Sequence, residues 1–240
     1  MAGRVLLVDP MLDDVGARSP VAGTANERRN PLVPLPMPAR SIVAGVDAVL
    51  VTHLHADHLD EAAISALPSS VPLFCQEEDG AKLRELGFSD VRPAAVGETL
   101  AFDGLRVTRT PALHGRGEVG EKMAPASGFV VADEGEPTLY VVGDSIWAEQ
   151  VAAVIRLHEP HVTVVNAGAA QFLSGGPITM DVADVCDVAQ SARSTQVVAV
   201  HMEAINHCLS TRTDLRRKLE SMGLAARVRV PADGEELVFD

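Results

Sequence analysis

The sequence predicts an α/β protein with two sheets flanked by helices, and three observations carry that expectation. Short Val-rich runs recur along the chain, segments of helical periodicity separate the later ones, and 47% of the 240 residues are hydrophobic while only 3% are aromatic. A core of Val, Leu, Ile and Ala rather than aromatic rings suits sheet-centred packing.

The first run, RVLLV (4–8), is cut off at Asp9 and Pro10. Residues 10–41 follow with no clear period and six prolines, four of them between Pro31 and Pro38. Such a stretch in a compact domain is usually functional or disordered, and it reads either as a surface loop or as a flap over the active site. The runs DAVLVT (47–52) and VPLFC (71–75) come next, separated by a turn and the short helix DEAAISAL, and EEDGAKLREL (77–86) has helical spacing. LRVTRT (105–110), GFVVA (128–132) and TLYVVG (138–143) form a strand group. Helices and strands then alternate: SIWAEQVAAVIRLH (145–158), HVTVVN (161–166), TMDVADVCDVAQSAR (179–193), QVVAVH (196–201), TRTDLRRKLESMG (211–223) and ARVRV (226–230). No internal repeat or linker interrupts the chain, so residues 1–240 are expected to form one domain.

Lys and Arg total 20 against 33 Asp and Glu, a net charge of −13. That balance opposes sequence-independent nucleic-acid binding, which draws its affinity from phosphate neutralisation. Cys75, Cys186 and Cys208 are odd in number with no C-x-x-C, which fits a reducing compartment. No signal-peptide pattern opens the chain, and no apolar stretch approaches the roughly 20 residues of a membrane span. The expectation is a soluble cytoplasmic protein.

Chemistry concentrates in THLHADHLD (52–60), where His53, His55 and His58 surround Asp57 directly after an apolar run. A packed core has little use for clustered imidazoles, which repel when charged. A divalent metal resolves the difficulty, because neutral imidazole nitrogen and carboxylate oxygen suit zinc and its neighbours. His53 and His55 point the same way by the two-residue period of extended chain, and Asp57 and His58 fall where the chain turns. One segment can therefore serve two metals. His114 follows LRVTRT, Asp144 ends TLYVVGD and His201 ends QVVAVH, at strand ends where sites are commonly built. Taken singly, His114 reads as structural and Asp144 as a helix N-cap.

Together, HxHxDH (53–58), His114, the aspartate of GD (143–144) and His201 resemble the ligand set of the metallo-β-lactamase superfamily of hydrolases, over nearly the whole chain. The resemblance implies a four-layer αββα sandwich with the metals at one edge of the two sheets. It places His53, His55 and His114 on one ion, Asp57, His58 and His201 on the other, and Asp144 between them. Two divalent ions are implied, zinc first and manganese as the alternative. The implied reaction is hydrolysis of a small ester, lactone or phosphodiester by a metal-bridging hydroxide, with Asp57 orienting the water or accepting its proton. LLVDP (6–10), GDSIW (143–147) and GPITMD (176–181) are similar to the lactonase and phospholipase-D-like branch, which includes ascorbate-6-phosphate lactonase-like proteins. Members usually begin with a strand or hairpin before the segment matching LLVDP. Only five residues precede Leu6 here, so the first edge strand is expected to be missing or shortened, leaving an edge that a homo-oligomer could cover.

The resemblance also suggests Asp9 as a carboxylate that orients a metal-bound histidine. His207 is weighed between structural packing and contact with substrate or its leaving group. Arg116 is the candidate for recognising an anionic substrate, while Arg28, Arg29 and Lys122 read as solvated charge. His158 and His161 read as solvated or capping, Trp147 as packing and the cysteines as buried thiols. Two alternatives stand beside the hydrolase: a metal-binding sensor or structural protein without turnover, and a nuclease, which the −13 charge disfavours.

Overall fold

The computed structural model describes Met1 and residues 3–239, and every Val-rich run singled out above contributes a strand. Strands β1 (Leu6–Val8), β2 (Ala48–Val51), β3 (Leu73–Gln76) and β4 (Val91–Ala94) form an all-parallel sheet in that order. The second sheet holds β5 (Thr99–Phe102), β6 (Leu105–Pro111), β7 (Ser127–Ala132), β8 (Leu139–Val141), β9 (Val162–Asn166), β10 (Gln196–Val200) and β11 (Val228–Arg229). Its neighbours run from β11 to β5 in reverse chain order, antiparallel from β5 to β8 and parallel from β8 to β11.

Three apolar cores define the four layers. Ala48, Leu50, Phe74, Val107, Phe129 and Val131 pack between the sheets. On the outside of the first sheet, Val49, Val51, Leu73 and Cys75 meet Ile42 of α1 (Ala39–Ile42), Ala63 of α2 (Glu61–Ala66) and Leu83 of α3 (Gly80–Glu85). On the outside of the second, Tyr140, Val165 and Val197 meet α5 (Glu149–His158), α6 (Val182–Ser191) and α7 (Arg212–Ser221). Strands alternate their side chains between two faces. Here both faces are covered, so the central strands read as continuous apolar runs. The αββα sandwich is thus formed.

The sequence reading missed β4, β5, α1 and α4 (Gly117–Met123). The helix expected from residue 145 begins at Glu149 with Ala148 at its N-cap, so Asp144 is no cap. Among the described residues β1 pairs with β2 alone, and the first sheet has four strands against seven in the second.

Residues 10–41 are largely irregular but well anchored. Leu12 and Asp13 donate backbone N–H groups to Asp60 Oδ2, and Leu32 N donates to the carbonyl of Ala204. The Asn206 amide bonds Val21, Thr24, Asn26 and Asn30. The loop therefore rests on the segments that follow His58 and His201.

Candidate metal centre

Each candidate ligand sits at or just beyond a strand end on one side of the molecule. Buried β2 delivers Thr52 and His53, and the chain then turns, with His58 N donating to the carbonyl of His55 at 2.9 Å. Asp60 closes the turn by capping α2, its side chain accepting from Ala63 N at 2.8 Å. His114 follows β6, Asp144 follows β8 and His201 follows β10. Glycine is required before Asp144: Gly143 has φ +70, and a Cβ there would lie 2.3 Å from the Ser127 carbonyl oxygen. Asp9 and His201 themselves take positive φ, 45° and 59°, a conformation that costs a side-chain-bearing residue about 1–2 kcal/mol. Strain of this kind is tolerated where surrounding structure fixes it.

Asp144 lies at the middle of the cluster. Its Oδ2 is 3.2 Å from His58 Nε2, 3.4 Å from His114 Nε2 and 4.0 Å from His53 Nε2. Its Oδ1 is 3.9 Å from His201 Nε2 and accepts from Asn166 Nδ2 at 2.6 Å. Asp57 Oδ2 stands 3.4 Å from His201 Nε2 and 3.9 Å from His58 Nε2. His53 Nε2 and His55 Nδ1 are 2.8 Å apart. Donor atoms of His53, His55 and His114 lie within 4.8 Å of one another, as do those of Asp57, His58 and His201, and those of His53, His58 and Asp144.

The rings are oriented from behind. His58 Nδ1 faces Asp9 Oδ2 at 2.8 Å, His114 Nδ1 faces the Ile178 carbonyl at 2.8 Å, and His53 Nδ1 faces Thr52 Oγ1 at 3.1 Å. Each ring thereby turns Nε2 inward, the arrangement by which outer partners fix a metal-binding tautomer. Nε2 of His58 and of His201 are buried without a hydrogen-bond partner. Orphaned buried nitrogens are costly, and a cation among them satisfies both. The donor set therefore fits divalent metal.

Charge follows the same geometry. Burial opposes the charged form of His58, but Asp144, Asp9 and Asp57 outweigh it and raise its pKa well above the ordinary histidine value. Burial likewise opposes the charged form of His201, which Asp144 and Asp57 raise. Burial pushes His53 and His55 down, reinforced by neighbouring imidazoles. The carboxyls of Asp57 and Asp144 are held below their usual range despite burial, chiefly by His58 with His201.

The structure brings together all seven expected ligands and sets Asp9 behind His58. His207 is buried, its Nδ1 has no partner, and burial lowers its pKa against the pull of Asp57. Arg116 is exposed, with its guanidinium donating to the Trp147 carbonyl at 3.3 Å. Sequence reading missed Thr52, Asn166 and Arg18, which donates to the Ala56 carbonyl and pairs with Asp13 at 2.7 Å. Asn166 carried a usable signal, a polar residue ending an apolar strand. Cys208 is half-buried rather than the buried thiol that the sequence predicts, with Sγ 3.7 Å from His201 Nδ1.

Residues 4–202 match the family described as beta-lactamase superfamily domain. The chain is 36% identical to the UPF0173 protein YddR of Bacillus subtilis (strain 168) over 241 residues, covering 99% of this chain and 94% of that protein. It is 26% identical to a UPF0173 metal-dependent hydrolase of Agrobacterium fabrum, covering 83% and 84%. An isothiocyanate hydrolase from Delia radicum gut bacteria superposes with a TM-score of 0.92 at 36% identity, covering 100% of this chain and 94% of that one. A possible metal-dependent hydrolase from Veillonella parvula gives 0.92 at 33% identity, covering 96% and 90%.

Proposed function

The chain belongs to the metallo-β-lactamase superfamily, among its UPF0173 metal-dependent hydrolases, and we propose that it holds two divalent ions to hydrolyse a small substrate with a compact electrophilic centre. The observation that carries the two-ion reading is Asp144, whose carboxylate stands between the His53–His55–His114 and Asp57–His58–His201 groups. Zinc is the first candidate ion and manganese the second. Bound at these residues, such ions would lower the pKa of a shared water and polarise the electrophile.

The protein's own groups supply the rest. Asp57, kept ionised by His58 and His201 against its burial, can orient the attacking water. His207, in the tautomer with hydrogen on Nδ1, can donate to the leaving group. Asp9 holds His58. Arg116, exposed at the start of α4, would meet an anionic substrate beyond His114. The loop at 10–41, bonded to both ligand-bearing segments, would cover the cleft. Among the described residues no helix is long and apolar enough to cross a membrane, and three free cysteines support a cytoplasmic setting.

Isothiocyanates head the substrate list, because the 36%-identical neighbour is an isothiocyanate hydrolase. Lactones follow from the LLVDP, GDSIW and GPITMD segments, and phosphodiesters from the superfamily. Screening metal-loaded protein against these three classes and a thioester panel should give chelator-sensitive hydrolysis of at least one. Full metal loading with no turnover on any class would favour a non-catalytic metal-binding protein instead.

A further inference from the structure

Strand β9 runs VTVV and then ends on an amide, Asn166, which is buried. Its backbone is held on both sides: Met180 N donates to the Asn166 carbonyl at 3.0 Å, and Ala167 N donates to the Val200 carbonyl at 2.8 Å. β8 and β9 pair in parallel as far as Val141 and Val164, so Asn166 lies two residues past the last pair, beside the chain that carries Asp144. A buried amide left unpartnered costs about 1–3 kcal/mol. Here Nδ2 donates to Asp144 Oδ1 at 2.6 Å. A carboxylate oxygen only accepts, so the NH2 group is the end that faces it.

The two oxygens of Asp144 are thereby placed differently. Oδ2 faces Nε2 of His58 at 3.2 Å, of His114 at 3.4 Å and of His53 at 4.0 Å, imidazoles drawn from both candidate groups. Oδ1 turns to Asn166, and the imidazole it approaches is His201, at 3.9 Å. A carboxylate can bind a cation through one oxygen or through both, and the second oxygen takes a further coordination position. A catalytic metal keeps one position open for water or substrate. The bond from Asn166 engages Oδ1 and fixes the rotation of the carboxylate, leaving Oδ2 as the oxygen shared between the groups.

We propose that Asn166 is a positioning residue of this centre: by holding Asp144 Oδ1 it keeps that oxygen off a cation at Asp57, His58 and His201, and so preserves the open position that hydrolysis needs. The inference rests on the two-ion hydrolase reading above. It also makes a demand of its own. Losing an outer hydrogen bond ordinarily weakens a metal site, whereas here it frees a ligand.

The test uses cobalt-loaded protein at measured stoichiometry. Asn166→Leu keeps the branched shape without the donor, and Asn166→Ala removes the donor without filling the space. Visible absorption of cobalt is strong at low coordination number and weak once an octahedron is complete. Both variants should bind cobalt at least as tightly as the wild type in chelator competition and absorb less per bound ion. They should lose about 10–100-fold in kcat on whichever substrate the wild type turns over. Unchanged absorption per bound ion in both variants would overturn the inference. So would cobalt affinity lost in both, the outcome of a bond that only stiffens the fold. Spectrum and affinity need no substrate, so a wild type without turnover sinks the hydrolase reading alone. A wild type binding a single cobalt per chain sinks the two-ion reading alone, and hydrolysis with unchanged spectra sinks only the role of Asn166.

Discussion

Asp9→Asn exchanges one carboxylate oxygen for an NH2 group where three hydrogen bonds converge. Asp9 Oδ1 accepts from Thr52 N at 2.8 Å, and Oδ2 accepts from Thr52 Oγ1 at 2.8 Å while facing His58 Nδ1 at 2.8 Å. Asparagine can keep the Oδ1 bond, but its nitrogen only donates. It can bond His58 only if Nδ1 gives up its hydrogen. That hydrogen then moves to Nε2, the nitrogen facing Asp144 and Asp57, where the proposed cation would bind. Outer partners of metal-bound histidines are worth about 10–100-fold in affinity, or about 1.4–2.7 kcal/mol. On the proposed two-ion reading, the Kd of an ion at Asp57, His58 and His201 should rise by that factor, and that of an ion at His53, His55 and His114 should change less. Competition against a chromophoric chelator reads both constants. Unchanged affinities in a correctly folded variant would refute the tautomer argument. Equal weakening at both positions would refute the division of ligands.

Other outcomes follow from the same geometry. Asp144→Ala removes the carboxylate between the two groups and should lower metal content and cut hydrolysis by about 100-fold or more, read by elemental analysis and initial rates; full occupancy with unchanged rate would sink that assignment. His207→Ala should reduce kcat by about 100-fold at unchanged metal content, and a near-normal rate removes it from the chemistry. Burial, with Asp79 beside it, pushes the Cys75 thiol up to about 12. The unfolded thiol ionises nearer its ordinary value of 9.0, so this contribution is complete below that pH and declines as pH rises toward 12. The slope approaches about 1.4 kcal/mol per pH unit only above the unfolded value, so about 1.4 kcal/mol in all is lost between pH 8 and 10, and Cys75→Ala should flatten that decline in urea unfolding of metal-free protein.

The central strands were legible because sheets covered on both faces demand continuous apolar runs, as AVLV in β2 shows. β4 and β5 escaped because they lie at sheet edges, where VRPA tolerates a proline and TLAF leaves Thr99 and Ala101 exposed. The seven candidate ligands stood out because histidine and aspartate at the ends of apolar strands are chemically conspicuous. Thr52 and Asn166 are common residue types whose importance lies only in what they face. The Asn206 network joins residues 176 to 185 positions apart, a relation no local pattern in residues 10–41 could display.

The left-handed backbone at His201 has a consequence for how such a chain changes over generations. Glycine there would relax the fold by about 1 kcal/mol, while removing an imidazole from the cluster. A lineage released from its chemistry would gain stability by losing this histidine, so mutation and selection for folding alone would erase the residue. Its retention would require continued demand for the ion. Position 201 therefore offers a sentinel among descendants of this protein, separating those still using the centre from those that have become scaffolds.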